Sequence, residues 1–234
     1  MPQRVLLALA IVAGLVTAWP TPFAQAFSGQ LQGIYGQVDN EELEGGGASL
    51  AVGSRFGLQL DGAYAEREEN QLKGVGLHLL YRQPDHFLFG LLAAHGEDQN
   101  VDLNRLGIEG DLYLKTLTLA ATAGQQQGDI DDNLFATADL HWYPTPELVL
   151  TLGGAFADKN DGRLHLGAEY QIFPGLAAFI DAAAGENHYD HLLGGIRLYI
   201  GRSKPLINRH RENDRPNPVI DNLLQGLASI ESRR

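Results

Sequence analysis

The sequence predicts an all-β chain: an antiparallel up-and-down transmembrane β-barrel of about twelve strands, with a short helical tail. Three observations carry this. From Gln30 to Gly201 apolar residues recur at every second position, with small or polar residues between them, and a period of two puts alternate side chains on opposite faces of a strand. The stretches run to roughly ten residues each, the length a strand needs to cross a bilayer at a tilt. They also follow an N-terminal segment with the pattern of an export signal.

That segment comes first. In residues 1–26 the only charge is Arg4, Val5 to Ala18 is mainly apolar, and Ala24-Gln25-Ala26 fits the small-x-small cleavage pattern. This is the layout of a secretory signal peptide. The apolar run is shorter than the ~20 residues a membrane helix needs, and no later segment approaches that length. The chain has no cysteine, so no disulfide framework is involved.

The strands are expected at 30–38, 46–53, 55–65, 71–82, 86–95, 103–114, 116–125, 133–143, 147–157, 163–173, 175–184 and 191–201. Their connections fall into two alternating classes. Gly53-Ser54-Arg55, Gln83-Pro84-Asp85, Lys115, Pro144-Thr145-Pro146 and Phe173-Pro174-Gly175 read as tight turns. The stretches 39–45, 66–70, 96–102, 126–132, 158–162 and 185–190 read as longer polar loops. Short turns at the periplasmic end and longer loops outside are the expected asymmetry of an outer-membrane barrel. The prolines are expected in turns, because proline cannot donate to a strand ladder.

Alternation assigns the faces. Phe56, Leu58, Leu60, Tyr64, Val75, Leu77, Leu79, Leu106, Ile108, Leu164, Leu166, Ile196 and Leu198 fall on one side, taken as lipid-facing. Tyr64, Tyr81, Phe87, Trp142, Phe156 and Tyr170 lie near strand ends, where aromatic girdles form. The opposite face is rich in Gly, Ala and Thr with scattered charges, unlike the Lys/Glu-dense face of a solvated sheet. Its candidate lumen and selectivity residues are Arg55, Asp61, Arg105, Glu109, Asp111, Asp139, His141, Arg163, His165, Glu169, Asp181 and Arg197. On the final hairpin Asp181 and Arg197 are expected as near-diagonal neighbours, a plausible ion pair.

The signal, the alternating strands and the last strand together resemble the porin-type bacterial outer-membrane β-barrel class. His191-Leu192-Leu193-Gly194-Gly195-Ile196-Arg197-Leu198-Tyr199-Ile200 is similar to the terminal assembly signal of that class, with Gly195, Leu198 and Ile200 at its positions. The resemblance implies outer-membrane lipid and the barrel-assembly machinery as partners. Class members usually stop at the last strand, whereas this chain runs on to Arg234.

The formal net charge is −12. The acids concentrate in the six polar loops, among them Asp39, Glu41, Glu42, Glu44, Glu66, Glu68, Glu97 and Asp98, so one rim is expected to be acidic. Such a rim would favour cations or simply keep the exposed end soluble. Asp129 to Asp132 and Asp158 to Gly162 do not complete a calcium-loop pattern. His188, Asp190 and His191 share one loop, but three candidate ligands in one loop do not define a metal site. No cofactor or metal is expected. Few serines remain after the signal, and neither Ser49 nor Ser54 has an evident histidine partner. No nucleophile, phosphate-loop or dinucleotide motif occurs, so an enzyme is not expected and no catalytic residue is assigned.

Residues 202–216 are basic and proline-bounded and read as an extended, largely disordered periplasmic linker. Between 219 and 230, Val219, Ile220, Leu223, Leu224, Leu227 and Ile230 fall at helical spacing, a short amphipathic helix that must dock on something to be stable. The periplasmic mouth, a periplasmic protein or the inner leaflet could receive it. Nucleic acid is excluded as a partner by the export signal and the acidic barrel. The functional expectation is a narrow channel for cations or small polar solutes. The alternatives are a closed structural or assembly barrel whose tail binds a partner in an envelope complex, and a lipid-modifying outer-membrane enzyme.

Overall fold

A computed structural model describes residues 27–215 apart from 69, 99–100, 130–132, 158–160, 187–188 and 214. The expected signal segment and the 219–230 helix lie outside the described residues.

The chain forms twelve strands: β1 (Phe27–Val38), β2 (Glu41–Gly53), β3 (Phe56–Arg67), β4 (Asn70–Gln83), β5 (Phe87–Asp98), β6 (Val101–Leu114), β7 (Leu117–Gly128), β8 (Asn133–Thr145), β9 (Leu148–Ala157), β10 (Asp161–Phe173), β11 (Leu176–Gly185) and β12 (Asp190–Ile200). Among the described residues one helix, α1 (Leu206–Glu212), follows. Each strand pairs antiparallel with its sequence neighbours. β12 closes the barrel on β1, from Gly29 opposite Ile200 to Val38 opposite His191. Closure pairs the edge backbone groups that a bilayer could not satisfy.

The expected outer face is observed. Phe56, Leu60, Val75, Leu79, Leu106, Ile108, Leu152, Leu164, Leu166 and Ile196 are all at least half exposed around the barrel. The rings of Phe56, Tyr81 and Phe87 meet at centroid distances of 5.1 and 6.0 Å near the ends of β3, β4 and β5, forming part of an aromatic girdle.

Two sequence expectations about the connections are corrected. The polar loops are shorter than expected because their acidic residues continue the strands. Glu41, Glu42 and Glu44 belong to β2, and Glu97 and Asp98 to β5. Asp39 and Asn40 both have positive φ, 52° and 67°, as a two-residue type I′ hairpin requires, so β2 begins at Glu41 and not near 46. Both ends of the barrel are therefore closed by short turns. Pro144 also lies within β8, at a register shift between Trp142 and Thr145. A bulge is where a strand accepts a residue without an N–H.

The interior is less polar than the alternation suggested. The near end, where β1 starts and β12 finishes, holds buried Leu80, Leu88, Tyr113, Tyr143, Val149 and Tyr199. Toward the far end Ile34, Val38, Leu43, Leu72 and Leu193 pack with Tyr189. Buried charged residues run the length of the interior, from Arg82 at the near end to Arg67 and Asp98 at the far end.

Candidate functional site: a charged lumen entered by the tail

Three hydrogen-bonded relays cross the interior. In the first, His78 on β4 lies between Asp61 on β3 (Nε2 to Oδ2, 3.0 Å) and Glu109 on β6 (Nδ1 to Oε1, 2.9 Å). In the second, His165 faces Asp139 through Nε2 at 2.7 Å and Asp181 through Nδ1 at 3.2 Å. Asp181 also meets His191 Nε2 at 2.6 Å, and His191 Nδ1 meets the Tyr189 hydroxyl at 2.8 Å. Gly153 makes this contact possible, because a Cβ there would come within 2.0 Å of both Asp139 Oδ1 and His165 Nε2. In the third, Arg197 donates to Gln32 Oε1 at 2.9 Å and pairs with Glu169, which also accepts from the Tyr199 hydroxyl at 2.6 Å.

Of the sequence-predicted lumen residues, Asp61, Arg105, Glu109, Asp111, Glu169 and Arg197 are buried in the interior, and Asp139, His141, Arg163, His165 and Asp181 are partly buried there. Arg105 bonds Gln126 and lies over the Phe135 ring, with its guanidinium carbon 4.6 Å from the centroid. His141 bonds Thr151 at 3.0 Å, and Arg163 donates to the Tyr189 hydroxyl at 3.4 Å. Arg55 is a correction: it is exposed in the β2–β3 turn, outside the strand.

The Asp181–Arg197 pairing is also corrected. Asp181 sits opposite Leu193, four residues from Arg197, about 13 Å along the strand at ~3.3 Å per residue. Asp181 therefore takes His191, its true diagonal neighbour, and Arg197 takes Glu169. The same register explains His191, the first residue of the last expected strand. It is buried on β12. His188 lies outside the described residues. Among the described residues no group of three His, Asp or Glu side chains is arranged to hold a metal. Gly195, Leu198 and Ile200 all lie on β12, with Leu198 outward against lipid.

The sequence reading missed the course of the tail. Residues 206–212 are not an extended linker but a helix docked in the near mouth. Gly201, at φ 109°, turns the chain back toward the barrel in a conformation that favours glycine. Leu206 is fully buried against Tyr143, Val149, Ala177 and Tyr199, and the Ile207 N–H donates to the Pro146 carbonyl at 3.1 Å. Arg209 lies over the Tyr199 ring at 4.7 Å and donates to the Arg202 carbonyl at 2.7 Å. Arg211 donates to the Leu114 and Leu117 carbonyls at 2.7 and 2.9 Å.

His210 joins the third relay. Because the Tyr199 hydroxyl donates to Glu169, it accepts from His210 Nε2 (3.0 Å), which leaves Nδ1 to accept from the Tyr143 hydroxyl at 3.1 Å. That is a neutral imidazole. Burial holds its pKa well below the ordinary value, and Arg197, His141 and Arg209 push it the same way. Beyond the helix, Arg215 reaches the first relay. Its guanidinium bonds Glu109 through Nη1 and Asp111 through Nη2 at 2.7 Å. Burial alone would lower its pKa, but Asp111 and Glu109 hold it above the ordinary arginine value. A cavity of about 180 Å³ remains, walled by strand residues both apolar and charged and floored by His210, Arg211 and Arg215. The one sequence cue to this docking was the arginine-rich composition of 202–216, set against a barrel interior rich in acids.

A closed twelve-stranded barrel with a lipid-compatible outer face and a charged interior has the fold of the porin-type outer-membrane β-barrels. Among solved structures the chain is similar to the KdgM porin, at 10% identity over 72% of this chain and 98% of that one, with a TM-score of 0.59. It is similar also to the NanC porin, at 7% identity over 72% and 98%, with a TM-score of 0.60. The KdgM porin is also known in complex with disordered oligogalacturonate. No protein-family model matches the chain, and no curated protein matches it. At such identities the likeness is one of fold.

Proposed function

We propose that this protein is a narrow outer-membrane channel for cations or small polar solutes, exported by a cleaved signal peptide and closed in this state by its own C-terminal segment. The observation that carries this is the central cavity, whose walls are strand residues, among them the charged Glu109, Asp111, Asp139, Arg163, Glu169, Asp181 and Arg197, but whose floor is tail. A permanently filled barrel has no need of a separately tethered floor. The strands supply Asp61, Asp98, Glu109, Asp111, Asp139, Glu169 and Asp181 to the interior against Arg67, Arg82, Arg105, Arg163 and Arg197, so acids still outnumber arginines. With the tail withdrawn this balance favours cations over an acidic oligosaccharide of the kind bound by the KdgM porin. Acidic residues at the far end, among them Asp39, Glu41, Glu42 and Glu44, would raise the local cation concentration in the same sense.

The test is planar-bilayer conductance under a KCl gradient, comparing the full chain with one ending at Gly201. The truncated barrel should insert and conduct with a cation-favouring reversal potential, and the full chain should dwell mostly closed. Silence from a truncated barrel that is demonstrably folded would refute the channel. A second reading, a closed structural barrel, is favoured by the relays that bind strand to strand without the tail, such as Asp61–His78–Glu109.

A further inference from the structure

We propose that Glu109 and Asp111 form a lumenal binding site for guanidinium-bearing cations, which the chain fills with its own Arg215. This deepens the channel reading by naming a solute class.

Four observations converge. Glu109 and Asp111 are two apart on β6 and both point inward, so their carboxylates stand roughly 7 Å apart along the strand. The two Nη atoms of one guanidinium satisfy one carboxylate each. A planar fork can divide its donors in this way, whereas a compact ammonium is a point charge. Second, the carboxylates are held in place independently of Arg215: Glu109 by His78, which is itself backed by Asp61, and Asp111 by the Tyr113 hydroxyl at 3.3 Å. Third, the site encloses its cation: Arg215 is buried there, and Gln30 Nε2 donates to its backbone carbonyl at 3.2 Å. Fourth, Glu109, Asp111 and Arg215 all line the central cavity, so a solute in the cavity reaches the carboxylates without crossing the barrel wall. Arg215 thus occupies the place of a ligand, tethered and exchangeable.

The experiment uses the full-length refolded chain, with folding verified by heat-modifiable electrophoretic migration, and L-arginine amide as probe. Titration calorimetry on Arg215→Ala should show binding at least tenfold tighter than to the unsubstituted chain, in which Arg215 competes. Tetramethylammonium, charged but without donors, should bind at least tenfold more weakly than arginine amide. Adding Asp111→Asn to Arg215→Ala should remove at least tenfold of the affinity. Equal binding to Arg215→Ala and the unsubstituted chain, or equal binding of the two cations, would overturn the proposal.

A second measurement needs no substitution. Arginine amide should lower the hydrogen-exchange protection of 206–213 in the unsubstituted chain, and tetramethylammonium at equal ionic strength should not; protection that ignores both cations would overturn the site. Binding is read without current, so the two readings fail separately. Binding without conductance refutes the channel and keeps the site, and conductance without binding does the reverse.

Discussion

Replacing Arg211 by alanine should release the tail from the barrel mouth. Arg211 makes three hydrogen bonds to the β6–β7 hairpin: Nη2 to the Leu114 and Leu117 carbonyls at 2.7 and 2.9 Å, and Nε to Thr118 Oγ1 at 3.3 Å. Its guanidinium also lies 5.2 Å from the Tyr113 ring and 5.7 Å from that of Tyr143. A hydrogen bond from a charged donor contributes about 1.5–3 kcal/mol when buried, and an accessible cation–π contact about 0.5–1 kcal/mol. Arg211 is half-buried and Leu114 is exposed, so water replaces part of what is lost. Discounting the hydrogen bonds accordingly leaves about 2–3 kcal/mol. At about 1.4 kcal/mol per decade the docked-to-released ratio falls about 30- to 150-fold. Hydrogen exchange followed by mass spectrometry reads this directly. The amides of 207–213 should lose protection by that factor while peptides from β4 and β5, which Arg211 does not touch, stay unchanged as an internal control. A change of less than about threefold in the tail would refute the view that this contact holds the helix.

Docking should also depend on pH. His210 is held neutral in the docked state, with its pKa below the ordinary value of 6.5, so docking is at full strength above about pH 6.5 and weakens as pH falls below it. Exchange protection of α1 at pH 5 should therefore be lower than at pH 7.5, and the reverse order would contradict the assignment. Glu212, whose carboxyl is held below its ordinary value of 4.5 by Lys204 and Asn208 against its partial burial, adds a loss of the same sign only at more acidic pH. Tyr199→Phe removes the hydroxyl that joins Glu169 to His210 and should cost about 1–3 kcal/mol, seen as a lower midpoint in thermal unfolding. Gly195→Ala would set a Cβ 2.0 Å from the Gly33 carbonyl and 2.7 Å from the Phe179 ring. The closing β1–β12 seam should weaken by about 1–3 kcal/mol, so that the unfolded electrophoretic band grows at the expense of the folded one.

The barrel was legible because its information is local. Alternation marks every strand, and the outward Leu and Phe positions could be read one by one, since a register error would have turned them all inward. What escaped the reading depends on neighbours in space. Asp39-Asn40 looked like the start of a loop because nothing in the sequence says that both residues take positive φ. The inward Leu80 and Leu88 passed unnoticed because their neighbours in sequence are apolar too, leaving no contrast at those positions. The tail was the largest miss. A seven-residue helix has no stability of its own to announce it, and its docking contacts come from strands as far apart in sequence as β1 and β12. Arg215 looked like linker charge until Glu109, more than a hundred residues away, was placed beside it.

The docking surface of the tail has a consequence for biogenesis. Gln30 lies on β1, Glu109 on β6, Tyr143 on β8 and Tyr199 on β12, and these four strands surround one lumen only after the seam has zipped. A half-assembled sheet offers the tail fragments of a surface, none of them with the full set of partners. Complete docking therefore requires a closed barrel. The segment can come to rest only in a barrel whose first and last strands have already found each other.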